Sequence, residues 1–358
     1  MILRSITARN FRNLAASPID FHPEKNLIVG RNGQGKTNLL EAIYFLGTTK
    51  SFRTPRLQSI VQFGETSVFA SGLLQRGEVA RTITVGFELG QIRRRMLQIN
   101  EERVTLARYV AAMSVFAFSS ARLDIIRGTP EERRRFLDRG IASVDPGYLD
   151  ALSRYGRVLR QRNALLQSGA ATPAALDAWD AEFSEAAAAI HSARTAYAGV
   201  LSEAYASIVA EHGYHVRGLR LEYHPSHVDD LHTVRRAELR ARTTLTGPQR
   251  DQLDWMLDGR NAAEVVSAGE QKMVVLFLKF AKLELFRRRF EEPALFLLDD
   301  IDAELDLEIL QKLLARFPAF TQVFVTSAKE RFLAALATGP HRRLTVENGR
   351  VMDVADFV

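Results

Sequence analysis

Apolar and polar positions follow different patterns in different parts of the chain. From residue 68 to residue 100, short apolar runs are separated by turns that contain Gly, which is typical of strands. From about residue 115, apolar residues recur every three or four positions, which indicates helices. Strand patterns return in the last third. The chain is therefore predicted to be an α/β protein with a helical segment in its middle.

The predicted strands lie mainly towards the two ends of the chain. They are Ile2 to Ala8, Ile19 to Phe21, Leu27 to Val29, Val68 to Leu74, Ala80 to Leu89, Arg94 to Ile99, Val216 to Tyr223, Thr243 to Leu245, Trp255 to Leu257, Ala294 to Asp300 and Gln322 to Ser327. Turns that contain Gly join the runs between residues 68 and 100, so these are expected to form an antiparallel meander. One late strand leads into two adjacent acids, Asp299 and Asp300, and the other ends in two hydroxyl residues.

The helical segment contains one clear start signal and two long amphipathic runs. Thr129, Pro130 and Glu132 have the N-cap, first-turn Pro and N3 acid of a capped helix. Residues 147 to 167 and 173 to about 211 are predicted as an antiparallel helical hairpin, with Thr172 capping the second helix. The apolar stripe of the second helix is interpreted as packing rather than as a cofactor site.

The strongest chemical signal is a phosphate-binding loop. Gly30, Gly35, Lys36 and Thr37 fit the pattern G-x-x-x-x-G-K-[ST], between an apolar run and an amphipathic helix. The glycines let backbone N–H groups point at a phosphate, Lys36 adds a positive charge on the β- and γ-phosphates, and Thr37 offers a hydroxyl to Mg²⁺. The helix is expected to run from Lys36 to about Leu46, with Gly47 as its C′ residue.

The whole loop is expected to contact the nucleotide. The residues assigned to it are Gly30, Arg31, Asn32, Gly33, Gln34, Gly35, Lys36, Thr37 and Asn38. The expected ligands are ATP and Mg²⁺.

Composition narrows the functional classes. The chain has 358 residues, no cysteine, and a formal net charge of +6, with 40 of its 48 basic residues being arginine. Disulfides, thiolate metal sites and Cys nucleophiles are therefore excluded. No signal peptide is visible and no apolar run approaches the ~18 residues of a membrane span, so we expect a soluble, cytoplasmic protein without a membrane partner. The positive charge suits a polyanion, although an ordinary solvated surface has the same composition.

A second anion site is indicated in the last third. Ser267 and Glu270 form a capping-box pattern at the start of a helix, and Gly269 makes this start Ser-x-Gly. Taken alone, the pattern is only a helix cap.

The order and spacing of these features resemble the split ATPase head of the ABC class, and within it the RecF family of bacterial recombinational-repair ATPases, which is related to SMC heads. The matching segments are Asn10 to Asn13, Gly30 to Asn38, Lys50 to Thr54, Gly128 to Asp138, Thr246 to Asp251 and Ser267 to Asp306. The resemblance covers essentially the whole chain.

The resemblance implies an ATP-dependent homodimer that binds double-stranded and gapped or junction DNA and, with RecO and RecR, helps to load RecA. Asp299 would hold Mg²⁺ and Asp300 would polarise the attacking water. Ser267, Gly269 and Gln271 would approach the γ-phosphate bound by the other subunit. Asp300 is one methylene shorter than the Glu often found at its position, so slow hydrolysis is expected. Many ABC ATPases have a histidine at the position of Ser327, and this histidine contacts the γ-phosphate. Whether Ser327 makes this contact is left open. No Q-loop glutamine is assigned.

The expected organisation has three parts: residues 1–115 as the N-terminal part of ATPase lobe I, 116–285 as lobe II with the hairpin at about 147–212 and the signature motif, and 286–358 as the C-terminal part of lobe I. Two other functions are considered. An ABC transporter ATPase subunit would copurify with membranes, and a small-molecule P-loop kinase would not need Ser267.

Overall fold

The computed structural model describes residues 1–89, 94–119, 124–169, 171–214, 216, 218–226, 231–292, 294–301, 307–315 and 321–357. The chain divides into two compact units. The first combines Met1–Leu123 with Ser267–Val358, and the second is Asp124–Val266. The first unit is therefore assembled from both ends of the chain, and the second is inserted between them in sequence.

Strands and helices follow one another along the chain in three stretches. The first unit begins with β1 (Ile2–Arg9), β2 (Ile19–Asp20), β3 (Lys25–Val29), α1 (Lys36–Thr48), β4 (Ser67–Arg76), β5 (Val79–Glu88), β6 (Arg94–Ile99), β7 (Glu102–Arg103), α2 (Leu106–Ala111) and β8 (Val115–Ser119). The second unit contains α3 (Asp124–Arg127), α4 (Pro130–Val144), α5 (Tyr148–Ser168), α6 (Pro173–Glu211), β9 (Leu219–His224), α7 (Leu231–Ala241), β10 (Gln252–Leu257), β11 (Arg260–Asn261) and α8 (Ala262–Val265). The first unit resumes with α9 (Ala268–Phe290), β12 (Ala294–Asp299), α10 (Leu307–Ala315), β13 (Thr321–Ser327), α11 (Glu330–Leu336), β14 (His341–Glu347) and β15 (Arg350–Phe357).

Two six-stranded sheets form the first unit. One has the order β2-β1-β4-β5-β6-β7 and is antiparallel, which confirms the predicted meander. The other has the order β15-β14-β3-β13-β12-β8, in which only the edge strand β15 is antiparallel to its neighbour. Helix α1 packs against strands of both sheets and is buried from Leu39 to Gly47. The helix that follows the phosphate loop is thus part of the core.

The parallel sheet aligns the ends of four strands. Ser327 is in register with Val29, and Asp299 is in register with Ser119. Since carboxyl ends of parallel strands meet at one edge of a sheet, the loops that follow β3, β8, β12 and β13 start from the same edge.

The expectation that Gly47 ends α1 is wrong. The helix continues to Thr48, and Thr49 adopts the left-handed conformation that closes it, with φ of 60°. A Cβ atom on Gly47 would lie 2.5 Å from Cγ2 of Val115. Glycine therefore serves the close approach of α1 to β8 rather than a turn.

The boundaries of the units differ from the expected three-part division. β8 pairs with β12, and Phe280 of α9 contacts the ring of Phe296 with 4.6 Å between ring centroids. These contacts place residues 116–119 and the start of α9, including Ser267, in the first unit.

The second unit contains the predicted helical hairpin. α6 has the predicted bounds, and Thr172 caps it. Arg154 pairs with Glu185 and Arg162 pairs with Asp180, so α5 and α6 run antiparallel. The strand predicted at Thr243 to Leu245 is wrong, because the backbone N–H of Thr244 donates to the side chain of Asn163 instead of to a strand. Helix α7 was not predicted.

A buried ionic network holds α4, α6 and the loop before β10 together. Arg194 is 4% exposed and donates to both carboxylate oxygens of Asp138, at 2.9 and 3.0 Å, and to Asp251 at 2.6 Å. Burial alone would raise the pKa of Asp251, but hydrogen bonds from His191 and Tyr223 help to hold this pKa below its ordinary value. The network keeps Asp251 ionised inside the unit.

Replacing Arg194 with Met should destabilise the protein by about 3–5 kcal/mol, because two carboxylates would lose their main cation while one of them stays buried. Urea unfolding followed by circular dichroism measures this. The control is Arg154→Met, which removes an exposed ion pair and should change stability little. Equal effects of the two changes would contradict the importance of the network.

Candidate nucleotide-binding site

Three glycines shape the phosphate loop between β3 and α1. Gly30, Gly33 and Gly35 have φ of 151°, 81° and 111°, in the region that side chains with a Cβ rarely adopt. At Gly30 a Cβ would also lie 2.4 Å from the carbonyl oxygen of Val346. The loop therefore needs glycine at all three positions for its backbone shape, and at Gly30 for its packing as well.

The start of α1 is suited to an anion. Its N-cap is Gly35, no side chain caps it, and its first turn contains no acidic residue. By contrast, Thr129, Thr172 and Ser267 cap α4, α6 and α9 with their hydroxyl groups. The N-terminal amides of α1 and the positive end of its dipole can thus interact with a phosphate.

The side chain of Lys36, the first residue of α1, reaches back to the start of the phosphate loop. It is 8% exposed, and its ammonium group donates to the carbonyl oxygens of Gly30 and Arg31 at 2.7 and 3.0 Å. The residues at the loop tip, Arg31, Asn32 and Gly33, are exposed. A positive charge is therefore held beside the exposed loop.

The turn between β14 and β15 supports the loop. Asn348 and Gly349 both have positive φ. Their N–H groups donate to the side chain and the carbonyl oxygen of Gln34 at 2.8 and 2.7 Å. A Cβ on Gly349 would lie 1.8 Å from the carbonyl oxygen of Asn13, so only glycine fits there. No sequence motif indicated this contact.

Asp299 and three hydroxyl groups meet at the shared edge of the parallel sheet. Oδ1 of Asp299 accepts hydrogen bonds from Thr37 at 2.8 Å and from Thr326 at 2.9 Å, and Oδ2 accepts a longer one from Ser119 at 3.4 Å. Burial raises the pKa of Asp299, while the two threonine hydrogen bonds oppose that rise. A carboxylate and hydroxyl oxygens are the ligand types that Mg²⁺ prefers, so the residues fit this ion.

Asp300 is exposed, and its backbone is in the left-handed region with φ of 51°. Its N–H donates to the hydroxyl of Thr326 at 2.9 Å. The two adjacent acids thus differ in environment, since one is buried and hydrogen-bonded and the other is exposed to solvent.

A second carboxylate, Glu41 of α1, organises the basic residues near the loop. Glu41 is fully buried and accepts two hydrogen bonds from Arg12 at 2.7 and 2.9 Å, one from Ser51 and a weak one from Arg53 at 3.5 Å. Arg53 also donates to Asn38 at 2.8 Å. The segments before and after the phosphate loop are therefore tied to its helix.

The start of α9, with Ser267 as its N-cap, has the predicted capping box. The hydroxyl of Ser267 accepts from the N–H of Glu270, and the carboxylate of Glu270 accepts from the N–H of Ser267 at 2.7 Å. Ser267 is exposed, and a Cβ on Gly269 would meet nothing within 4 Å. Gln271, by contrast, is buried. The described hydrogen bonds of Ser267 stay within its own helical turn.

Some of the predicted site residues are hydrogen-bonded to one another in the structure, and others are not. Thr37 and Asp299 are hydrogen-bonded, and Thr326 links them to the backbone of Asp300. Ser327 stands at the position where many ABC ATPases have a histidine. Its hydroxyl is hydrogen-bonded to the backbone N–H and carbonyl oxygen of Lys329. Ser119 was missed because a serine after a strand carries no specific sequence signal. Residues 302–306 of the matching segment lie outside the described residues.

Comparisons with known proteins decide the family. The sequence profile described as RecF/RecN/SMC N terminal domain matches residues 2–349. The DNA replication and repair protein RecF of Geotalea daltonii is 31% identical over 98% of this chain and 100% of its own length. That of Geobacter metallireducens is 34% identical over 98% and 99%. The chain belongs to the RecF family.

Solved structures agree with the RecF assignment. A structure described as the recombination mediator protein RecF with ATP in the RecFOR pathway is 25% identical, with a TM-score of 0.85 over 100% of this chain and 98% of that one. An SMC head bound to the winged-helix domain of ScpA, at 16% identity and a TM-score of 0.55, shows the shared fold. The predicted ABC-type ATPase fold is confirmed. Within the described residues no helix combines the length and apolar character of a bilayer span.

Replacing Lys36 with Ala should lower ATP affinity on the order of a hundredfold or more, because it removes the ammonium group that is held beside the loop and would bond to phosphate oxygens. Equilibrium binding of labelled ATP measures this. Lys312→Ala is the control, since Lys312 is an exposed lysine paired with Glu308 on α10 and should be neutral. Normal ATP affinity in Lys36→Ala would contradict the phosphate-loop assignment.

Proposed function

We propose that the chain is an ATP-dependent DNA-binding switch that dimerises on ATP at gapped or junction DNA and, with RecO and RecR, helps to load RecA. Membership of the RecF family makes it a DNA replication and repair ATPase. The observation that best supports a switch is the hydrogen bond between Thr37 and Asp299. It connects the phosphate loop to the acidic strand end, so that one nucleotide can engage both.

In this proposal the loop binds the phosphates of ATP. The N–H groups of Gly33, Gly35 and the first turn of α1 would surround the β-phosphate, and Lys36 would exchange its carbonyl partners for phosphate oxygens. Arg31, Asn32, Gln34 and Asn38 complete the set assigned to the nucleotide.

Thr37 and Asp299 would hold Mg²⁺, Asp299 through the water shell of the ion. When bound, Mg²⁺ neutralises charge on the phosphate oxygens. Asp300 would polarise the attacking water, for which its exposure beside the buried Asp299 is suitable. Its short side chain supports slow hydrolysis, which suits a switch better than a motor.

The signature residues would act on the nucleotide of a second copy of the chain. Ser267 is exposed, and open space beside Gly269 allows a ligand to approach the start of α9. In a two-fold dimer each ATP would lie between Lys36 of one subunit and Ser267 with Gly269 of the other, so two nucleotides would bridge one isologous interface. Gln271, which was also assigned to this nucleotide, is buried and is therefore the least accessible of the three residues.

DNA would be bound mainly through its phosphates. The net charge of +6 and the excess of arginine suit a polyanion. The family assignment favours this function over a transporter subunit or a metabolic kinase.

Replacing Ser267 with Arg should prevent dimerisation on ATP while leaving ATP binding by the monomer within about threefold, since the phosphate loop is unchanged. Light scattering with ATP, with ADP and without nucleotide measures the mass in solution. The control is Ser153→Arg, which places the same charge on an exposed position of α5. A natural chain that stays monomeric in ATP at micromolar concentration, or a Ser267→Arg variant that dimerises normally, would overturn the dimer proposal.

DNA retention should require ATP and should be greater on gapped duplex than on blunt duplex. Affinity should fall steeply with salt, with a log–log slope of about −0.9 for each phosphate neutralised, because release of counterions dominates non-specific binding. Fluorescence anisotropy at several salt concentrations measures both effects. Salt-insensitive binding, or a strong preference for one base sequence, would be evidence against binding of DNA through its phosphates.

A further inference from the structure

Thr326, at the end of β13, is the one described residue whose hydroxyl bridges the two adjacent acids. It is 1% exposed. Its hydroxyl donates to Oδ1 of Asp299 at 2.9 Å and accepts from the N–H of Asp300 at 2.9 Å. A single buried group is therefore bonded to both the carboxylate of one acid and the backbone of the next.

The backbone of Asp300 needs such a partner. The ladder between β12 and β13 has its last pair at Leu298 and Val325, so Asp300 lies beyond the pairing. Its φ of 51° is unfavourable for residues with a Cβ, although Asp tolerates it better than most. The hydroxyl of Thr326 accepts from the N–H of Asp300 and so fixes the backbone in this bend.

The same hydroxyl sets the orientation of Asp299. The hydroxyls of Thr326 and Thr37 both donate to Oδ1, while among the described residues Oδ2 accepts only the longer hydrogen bond from Ser119. The neighbouring hydroxyl of Ser327 cannot substitute, because it is bonded to the backbone of Lys329.

We infer that Thr326 is a positioning residue for ATP hydrolysis, in that its hydroxyl holds the carboxylate of Asp299 and the backbone of Asp300 in their working geometry. This inference rests on the roles proposed above for the two acids. It concerns the rate of hydrolysis more than the binding of ATP, because the phosphate loop makes no hydrogen bond to Thr326 among the described contacts.

Two substitutions separate the hydroxyl from the shape of the side chain. Thr326→Val keeps the shape and removes the hydroxyl, and Thr326→Ser keeps the hydroxyl. The matched control is Thr321→Val on the same strand. Thr321 is also buried, at 7% exposure, but its hydroxyl has no hydrogen-bond partner among the described residues. The control therefore makes the same chemical change without the two bonds.

Thr326→Val should lower the hydrolysis rate about ten- to a hundredfold, as expected for losing a hydrogen bond to a charged group. Its affinity for ATP should stay within about threefold, and bound ATP should persist correspondingly longer in single-turnover measurements. Thr326→Ser and Thr321→Val should both hydrolyse ATP within about threefold of the natural rate. Thermal melting monitors folding, and Thr326→Ala replaces the Val variant if the latter does not fold.

A natural rate in Thr326→Val, or a Thr326→Ser variant as slow as Thr326→Val, would overturn the inference. So would an equal loss in Thr321→Val, which would indicate a general effect of changing β13. Asp300→Asn is measured in parallel. If Asp300→Asn hydrolyses ATP normally, the proposed role of the acid itself is wrong. If Asp300→Asn hydrolyses ATP slowly while Thr326→Val hydrolyses it at the natural rate, only the role inferred for Thr326 is wrong.

Discussion

The hydrogen bond between Thr37 and Asp299 spans 262 positions of sequence, and the proposed chemistry depends on it. It forms because β3, β12 and β13 are parallel neighbours in one sheet, so that the residues after them start from the same edge. The first unit can be completed only when both ends of the chain pair in this sheet. Nucleotide binding is therefore expected to report on the folding of the entire first unit rather than on a local loop.

Signals that lie within a few residues were predictable from the sequence. Thr172 and Pro173 define the start of α6, and the capping boxes of Thr129 and Ser267 occur as expected. The apolar strands β12 and β13 were equally clear, whereas β8, which pairs with β12 beside Asp299, was not predicted. Contacts between distant segments were not predictable, and these include the support of Gln34 by Asn348 and Gly349, and the contact of Ser119 with Asp299. Gly47 was misassigned because a glycine that permits close packing has the same local sequence as one that ends a helix.

The structure also changes what the arginine content implies. Arg162 is fully buried and bonded to Asp180 and Glu238, and Arg194 is bonded to Asp138 and Asp251. Such pairs are satisfied inside the protein and are not available to DNA. Near the site, Arg12 is likewise held by Glu41. Part of the arginine excess thus serves internal packing, so the family assignment is a better argument for DNA binding than composition is.

The identity of residue 300 connects backbone geometry to the expected slow turnover. The left-handed bend after β12 favours a short polar residue, and among the acids Asp adopts it more readily than Glu. The same bend turns Asp300 away from the buried environment of Asp299 and leaves it exposed to solvent. A shorter acid reaches less far towards a bound water. With the role proposed for Asp300, the bend and the short side chain would favour a state that retains ATP, and a retained nucleotide is what the proposed ATP-dependent switch on DNA requires.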